Sequence, residues 1–289
     1  MVGIRREGDL MRIVVGASAH AGSHPAIAWA LEFAHKRTST IELVHVVDTT
    51  WGRAQQGYID EALLVAEEKL RDLARSAQQS YPSLVVQSHV RAGAPVNELV
   101  AAAEGADYLV IGAHPDEHHA GASRRAVRLA RLAPCSVIVA PSDVIPRGSG
   151  VVVGVDGSVE SDLAVEFAAA LADRHGEELS VLLAWGHPEA WGMVEPILVD
   201  GEPTEEDRLV VAESIAGLPE LYPDLIVRTE ISAARPERAL YAASLGARML
   251  VVGSHGHHGV ERALLGSTSE AMVADLPCAV AVIRGPAPA

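Results

Sequence analysis

Basic residues are scarce in this chain of 289 residues. Its 23 lysines and arginines face 38 aspartates and glutamates, a formal net charge of −15 with histidine neutral. So acidic a surface repels the nucleic-acid backbone and anionic lipid, and neither DNA, RNA nor a membrane is expected as a partner. Long apolar runs are missing too: none approaches the roughly 18 residues of a membrane span, and residues 1–10 are polar, without the apolar region of a signal peptide. A cytoplasmic protein is expected. Only two cysteines occur, Cys135 and Cys278, each directly after a proline at the head of an apolar run, P-C-S-V-I-V and P-C-A-V-A-V. Matched places in two copies of one unit make them buried strand thiols rather than a disulfide pair. Catalytic signatures are absent as well: there is no G-x-S-x-G, no H-E-x-x-H and no C-x-x-C.

What is present is apolar content of 49%, enough for real cores, over a length that suits about two domains. The two read as a tandem repeat. Arg12-Ile13-Val14-Val15-Gly16 matches Gly150-Val151-Val152-Val153-Gly154, and Val44-His45-Val46 matches Leu182-Leu183-Ala184 at the same offset. Tyr108 to Gly112 matches Met249 to Gly253, and the Pro-Cys pairs follow. Residues 141–149 form a short polar junction with two prolines. The expected layout is a tail over 1–10, one domain over 11–140, a linker over 141–149 and a second domain over 150–289.

Apolar runs alternate with amphipathic stretches in each half. Strands are expected over 12–16, 40–47, 84–90, 108–112 and 136–140, with helices over 23–36, 58–79, 95–103 and 121–132. In the second half strands are expected over 151–155, 178–185, 225–231, 248–253 and 279–284, with helices over 159–174, 204–221, 236–244 and 267–276. Runs such as Val151-Val152-Val153 are apolar without alternation, as in strands covered on both faces. Alternating strands and helices build open, doubly wound parallel sheets, five strands to each half, with ligands received at the carboxyl edge where strand order switches.

One stretch on that edge is built for an anion. Gly253-Ser254-His255-Gly256 follows an apolar strand, and Gly266-Ser267-Thr268-Ser269 opens a short helix that Pro277 ends. Glycines let backbone come close to an oxygen, and free N–H groups at a helix N-terminus point at it. Neither G-x-x-x-x-G-K-[ST] nor G-x-G-x-x-G occurs. The spacing G-x2-G-x9-G-[ST], with Leu276-Pro277-Cys278-Ala279-Val280 after it, resembles the nucleotide signature of the universal stress protein family in its ATP-binding branch. The resemblance implies two Rossmann-like domains of that type and ATP, with Mg2+ an optional companion. It places Asp156, in Gly154-Val155-Asp156-Gly157-Ser158, on the ribose, Gly154 and Val155 along the adenine pocket, and the backbone of Ala184 at the adenine edge. Phosphates then meet the amides of Gly253, Ser254, Gly256, Gly266 and Ser267, with Thr268 and Ser269 continuing the hydroxyl run. Asp156 or Ser158 can equally serve as a helix cap, and so can Ser267.

The same loop departs from the family in carrying His255, His257 and His258, with Arg262 its sole permanent cation. A polyphosphate favours charged imidazole, so nucleotide affinity is expected to fall between about pH 6 and 8. Zinc or nickel binding by the histidines, or no role, are the other readings.

In the first half Ser18 stands where Asp156 stands, and Pro115 takes the second glycine's place in a loop two residues shorter, beside Asp116 and Glu117. Proline neither donates an amide nor reaches positive φ, so this half is expected to bind no ATP in the family manner, although Arg124 and Arg125 could hold an anion. A metal held by His114, His118 and His119 is the lesser reading. The resemblance further implies that the halves pair along 136–140 and 279–284, and that a homodimer can form. Overall a nucleotide-responsive stress or regulatory binding protein is expected. A slow ATPase, self-phosphorylation on Ser267, Thr268 or Ser269, and a nucleotide-free interaction protein are the alternatives.

Overall fold

The computed structural model describes residues 11–18, 25–35, 39–50, 56–113, 121–141, 148–184, 202–256 and 265–285. The expected tail over 1–10, most of the linker, the histidines at 114, 118 and 119, and His257, His258 and Arg262 lie outside them. Two compact units result, one within Met1–Ile145 and one over Pro146–Gly285.

The first unit runs β1 (Met11–Gly16), α1 (Pro25–Ala34), β2 (Ser39–Asp48), α2 (Gln56–Ser80), β3 (Val85–Gly93), α3 (Pro95–Ala102), β4 (Tyr108–Gly112), α4 (Gly121–Leu132) and β5 (Ser136–Ala140). The second runs β6 (Val151–Val155), α5 (Val159–His175), β7 (Leu179–Ala184), α6 (Glu205–Ser214), α7 (Leu218–Leu221), β8 (Val227–Ser232), α8 (Pro236–Ser244), β9 (Met249–Gly253), α9 (Ser267–Asp275) and β10 (Ala279–Ile283). Each unit holds a five-stranded parallel sheet, ordered β3-β2-β1-β4-β5 and β10-β9-β6-β7-β8. The order turns back between β1 and β4, and again between β6 and β9. A cleft for a ligand opens at such a switch point, at the carboxyl ends of the strands.

The absence of alternation in the apolar runs has the expected meaning. Val151, Val153, Met249, Leu250 and Val251 are fully buried, as are Val280 and Ala281, at consecutive or near-consecutive positions. Both faces of these strands are therefore covered, and each such valine, leucine or methionine side chain contributes about 1.5–3 kcal/mol of apolar burial. Cys135 and Cys278 are buried free thiols, and burial pushes the Cys278 thiol up to about 12.

The expected helix over 204–221 is two helices. Thr204 and Asp207 form a capping box that starts α6, but Gly217 at φ 84° takes the left-handed conformation and Pro219 sits in the first turn of α7. A left-handed residue breaks the α-helical path, while proline is tolerated only in a first turn. An apolar periodicity carried across that break does not reveal it.

The edge opposite the carboxyl ends is clamped in each unit by an arginine fork. Arg12 reaches Glu42 through Nε at 2.7 Å and Nη2 at 2.8 Å and also donates to the carbonyls of Glu104 and Ala102. Arg248 reaches Glu177 through Nη2 at 2.6 Å and Nε at 2.9 Å, and Glu177 further accepts the Gly150 amide at 2.7 Å. The Arg12 hydrogen bond holds Glu42 below its usual carboxylate range. For Glu177 burial alone would raise the value, but Arg248 and the Gly150 N–H outweigh it and the carboxyl is lowered.

Candidate functional site

Parallel pairing brings the ends of β6, β7 and β9 to one edge. Val155 registers with Leu183, one residue before Ala184, and Val153 with Val251, two residues before Gly253. Asp156, the last residues of β7 and the start of the glycine loop thus share the second unit's switch point.

Asp156 is exposed and follows the buried Val155. Its Oδ1 accepts the Ser158 amide at 3.0 Å and the Ser158 hydroxyl at 2.6 Å, so the turn aims the carboxylate. Capping of α5 falls to Ser158, whose Oγ accepts the Ser161 amide at 3.2 Å. Asp156 keeps Oδ2 on the side of Gly256, where a methyl group would collide with it. A carboxylate oxygen has two lone pairs, so Oδ2 is the available acceptor.

The three loop glycines serve different needs. A side chain on Gly253 would come within 3.0 Å of the Glu160 backbone at the start of α5, so this glycine admits helix against strand. Gly256 leaves room for the Asp156 carboxylate. Among the described residues Gly266 is required by neither packing nor conformation, because its φ is −60° and a methyl group there would meet their atoms no nearer than 3.6 Å.

Two of the expected phosphate donors are bonded to the framework. The Ser254 amide donates to the Ile283 carbonyl at 2.8 Å, and the Gly266 amide donates to the Ser254 carbonyl at 2.9 Å. Ser254 is buried and its Oγ lies 2.9 Å from Nδ1 of the half-buried His255. Where Ser254 donates that bond, Nε2 carries the ring proton. Nε2 is itself buried and without a hydrogen-bond partner among the described residues.

At α9 the first-turn amides of Ser267, Thr268 and Ser269 have no intrahelical acceptor, and Gly266 supplies no side-chain cap. Ser267 is exposed and Thr268 half-buried. Ser269, expected only to prolong a hydroxyl run, has a definite structural role, since its buried Oγ donates to the Gly253 carbonyl at 2.6 Å and fixes the helix start against the end of β9. A hydroxyl three residues after a glycine N-cap was the available signal. His257 is outside the described residues, and no group of three or more histidine, cysteine or acidic residues suited to a metal occurs among the described ones.

An open parallel sheet with a glycine-lined switch point is the architecture of nucleotide-binding α/β proteins at large. Comparison with known proteins narrows the class. The universal stress protein family model matches residues 10–141 and again 150–284. Universal stress protein Rv2005c of Mycobacterium tuberculosis is 33% identical over 283 residues, covering 90% of this chain and 92% of that protein. A universal stress protein of Mycolicibacterium smegmatis is 30% identical over 292 residues, with 94% and 96% covered. The crystal structure of a universal stress protein from Archaeoglobus fulgidus matches the fold at TM-score 0.71 and 20% identity, over 95% of this chain and 96% of that one. The chain belongs to the universal stress protein family and carries two of its domains in tandem. Among the described residues no helix is long and apolar enough to cross a membrane.

Proposed function

We propose that the second unit binds ATP at the carboxyl edge of β6, β7 and β9, and that the protein acts as a nucleotide-responsive regulatory protein. The observation that carries this reading is the opening of α9: first-turn amides without a side-chain cap from the N-cap residue, behind a glycine that nothing among the described residues requires, at the same edge as the Asp156 carboxylate. Such amides, with the helix dipole, suit a phosphate. Asp156 Oδ2 accepts a ribose hydroxyl, Gly154 and Val155 line the base, and the Ala184 backbone meets the adenine edge. Ser267 and Thr268 supply amides and hydroxyls to the phosphates, Gly256 lets the chain approach, and His255 adds a donor at Nε2. Gly253, with the amides of Ser254 and Gly266, holds the loop in shape. Mg2+ accompanies the phosphates in this reading, and the first unit, with Ser18 for Asp156 and Pro115 in its loop, takes no ATP.

Calorimetric titration with ATP tests it. One site per chain is expected, with affinity falling as pH rises from about 6 to 8, and Gly256→Ala should weaken binding about 100-fold, or about 2.8 kcal/mol, by displacing Asp156. No binding, two equivalent sites, or an unchanged affinity in the variant would each overturn it. Sustained phosphate release in the same samples, lost in Gly266→Asp, would favour the slow ATPase instead.

A further inference from the structure

The charge of the chain is divided unequally. Residues 1–145 hold 14 Lys and Arg against 16 Asp and Glu, a net of −2, while residues 146–289 hold 9 against 22, a net of −13. Within the nearly neutral half one helix carries basic residues without acidic ones. Helix α4 carries Arg124, Arg125, Arg128 and Arg131 and no acidic residue. Arg124, Arg125 and Arg128 are exposed and have no ion pair among the described residues, and Leu132 beside them is 45% exposed. The inward side of the helix is spent on the core through Ala126, Leu129 and Ala130.

Helix α6 of the second unit is its opposite in charge and its like in shape. Exposed Glu205, Glu206 and Glu213 stand around Leu209, which is 55% exposed. Glu205 lies 3.6 Å from Arg208, whereas Glu206 and Glu213 have no ion pair among the described residues. Residues 124 and 128 lie at i and i+4 on α4, and 206, 209 and 213 lie at i, i+3 and i+7 on α6. Each set therefore lies along one side of its helix.

We propose that α4 is a docking face for α6 of a second copy of this chain. Guanidinium forks match carboxylates geometrically, an exposed leucine on each helix supplies a small apolar centre, and the surrounding charges set register and specificity. A second copy is the favoured occupant because this chain itself presents the complementary acidic stripe. Nucleic acid approaching α4 would meet a chain whose net charge is −15. Each copy offers both stripes, one on each unit.

Sedimentation velocity of the full chain in about 25 mM and about 500 mM salt tests this, since exposed charges are screened over roughly 3–20 Å across that range. A species of at least two chains is expected at low salt and a single chain at high salt. R124E/R128E and E206R/E213R, each checked by circular dichroism, should both sediment as single chains at low salt. An equimolar mixture of the two should restore the larger species, because each acidic stripe then meets a basic one. A single-chain species for the natural protein at both salts would overturn the inference. So would a larger species that survives in either variant alone, or a mixture that stays monomeric. Retention of the natural protein by double-stranded DNA without self-association would also overturn it, in favour of a nucleic-acid partner.

Discussion

Where β6 ends, Asp156 turns a carboxylate over the sheet edge and Ser158 braces it. Where β1 ends, the equivalent place is Ser18, and the neighbouring Ala17 carbonyl accepts Nδ1 of His45 at 2.9 Å. A carbonyl only accepts, so that nitrogen carries the proton. His45 is buried, and its counterpart in the second unit is Leu183, also buried. Thus one unit spends a buried polar side chain on its own edge while the other leaves an exposed carboxylate there. Behind these differences the backbone is the same. The amide after β4, at Ala113, donates to Ala140 at 2.8 Å, and the amide after β9, at Ser254, donates to Ile283 at 2.8 Å. Gly16 faces Leu99 of α3 much as Gly154 faces Leu240 of α8. Main-chain bonds and small residues carry the fold, while the side chains just beyond the strand ends differ between the units, so one can be kept while the other changes.

The largest effect expected from this comparison is on the shared frame. Leu109 in β4 and Leu250 in β9 occupy the same place and are both fully buried. Leu109→Ala and Leu250→Ala should each cost about 2–5 kcal/mol in urea unfolding. A difference of more than about 3 kcal/mol between them, beyond the spread that local collapse permits, would show that the units do not share one kind of core. Leu250→Ala should not move the acidic or basic stripes.

An effect of middle size belongs to the arginine forks. Glu42→Gln and Glu177→Gln each give up charge-assisted hydrogen bonds worth about 1.5–3 kcal/mol at neutral pH. Both carboxyls are lowered in the folded protein. Their stabilisation is therefore complete above the unfolded glutamate pKa near 4.3 and is lost as pH falls through the lower folded value. Unfolding measured from about pH 7 to pH 3 should narrow the gap between the natural protein and each variant toward the acid end. Variants that stay equally far apart throughout would show that packing, rather than charge, holds these edges.

The sequence displayed the fold more fully than the site. Apolar runs, the doubled Pro-Cys pair and the prolines located ten strands to within three residues at their ends, because burial on both faces leaves a continuous signature in the central strands; the largest miss is at the far end of β3, which has no buried residue to mark it. It did not display the break at Gly217, where the apolar pattern continues through a left-handed residue. At the site, glycine spacing marked the loop, but a glycine can serve packing, conformation or a ligand, and only geometry separates Gly253 from Gly256 and Gly266. Likewise nothing in the order of residues tells that the Ser254 amide belongs to Ile283, because that bond depends on a strand about thirty residues away.

Gly266 offers the smallest expected change and the sharpest separation of frame from chemistry. It stands at the N-cap of α9 with φ −60° and ψ 147°, a conformation open to any residue, and a methyl group there meets no atom of the described residues nearer than 3.6 Å. Aspartate caps helices better than glycine by a few tenths of a kcal/mol, so Gly266→Asp should raise thermal stability slightly in the absence of nucleotide. Its carboxylate would also occupy the amides proposed for phosphate and repel the anion. Stability and ATP affinity should therefore move in opposite directions, read by a melting curve without ligand and a titration with it. If both fell together, Gly266 would be a structural glycine and the helix start would have no claim on phosphate. An increase in stability with unaltered affinity would separate the helix start from the nucleotide as well, and would put the weight of any binding on the Asp156 side of the cleft.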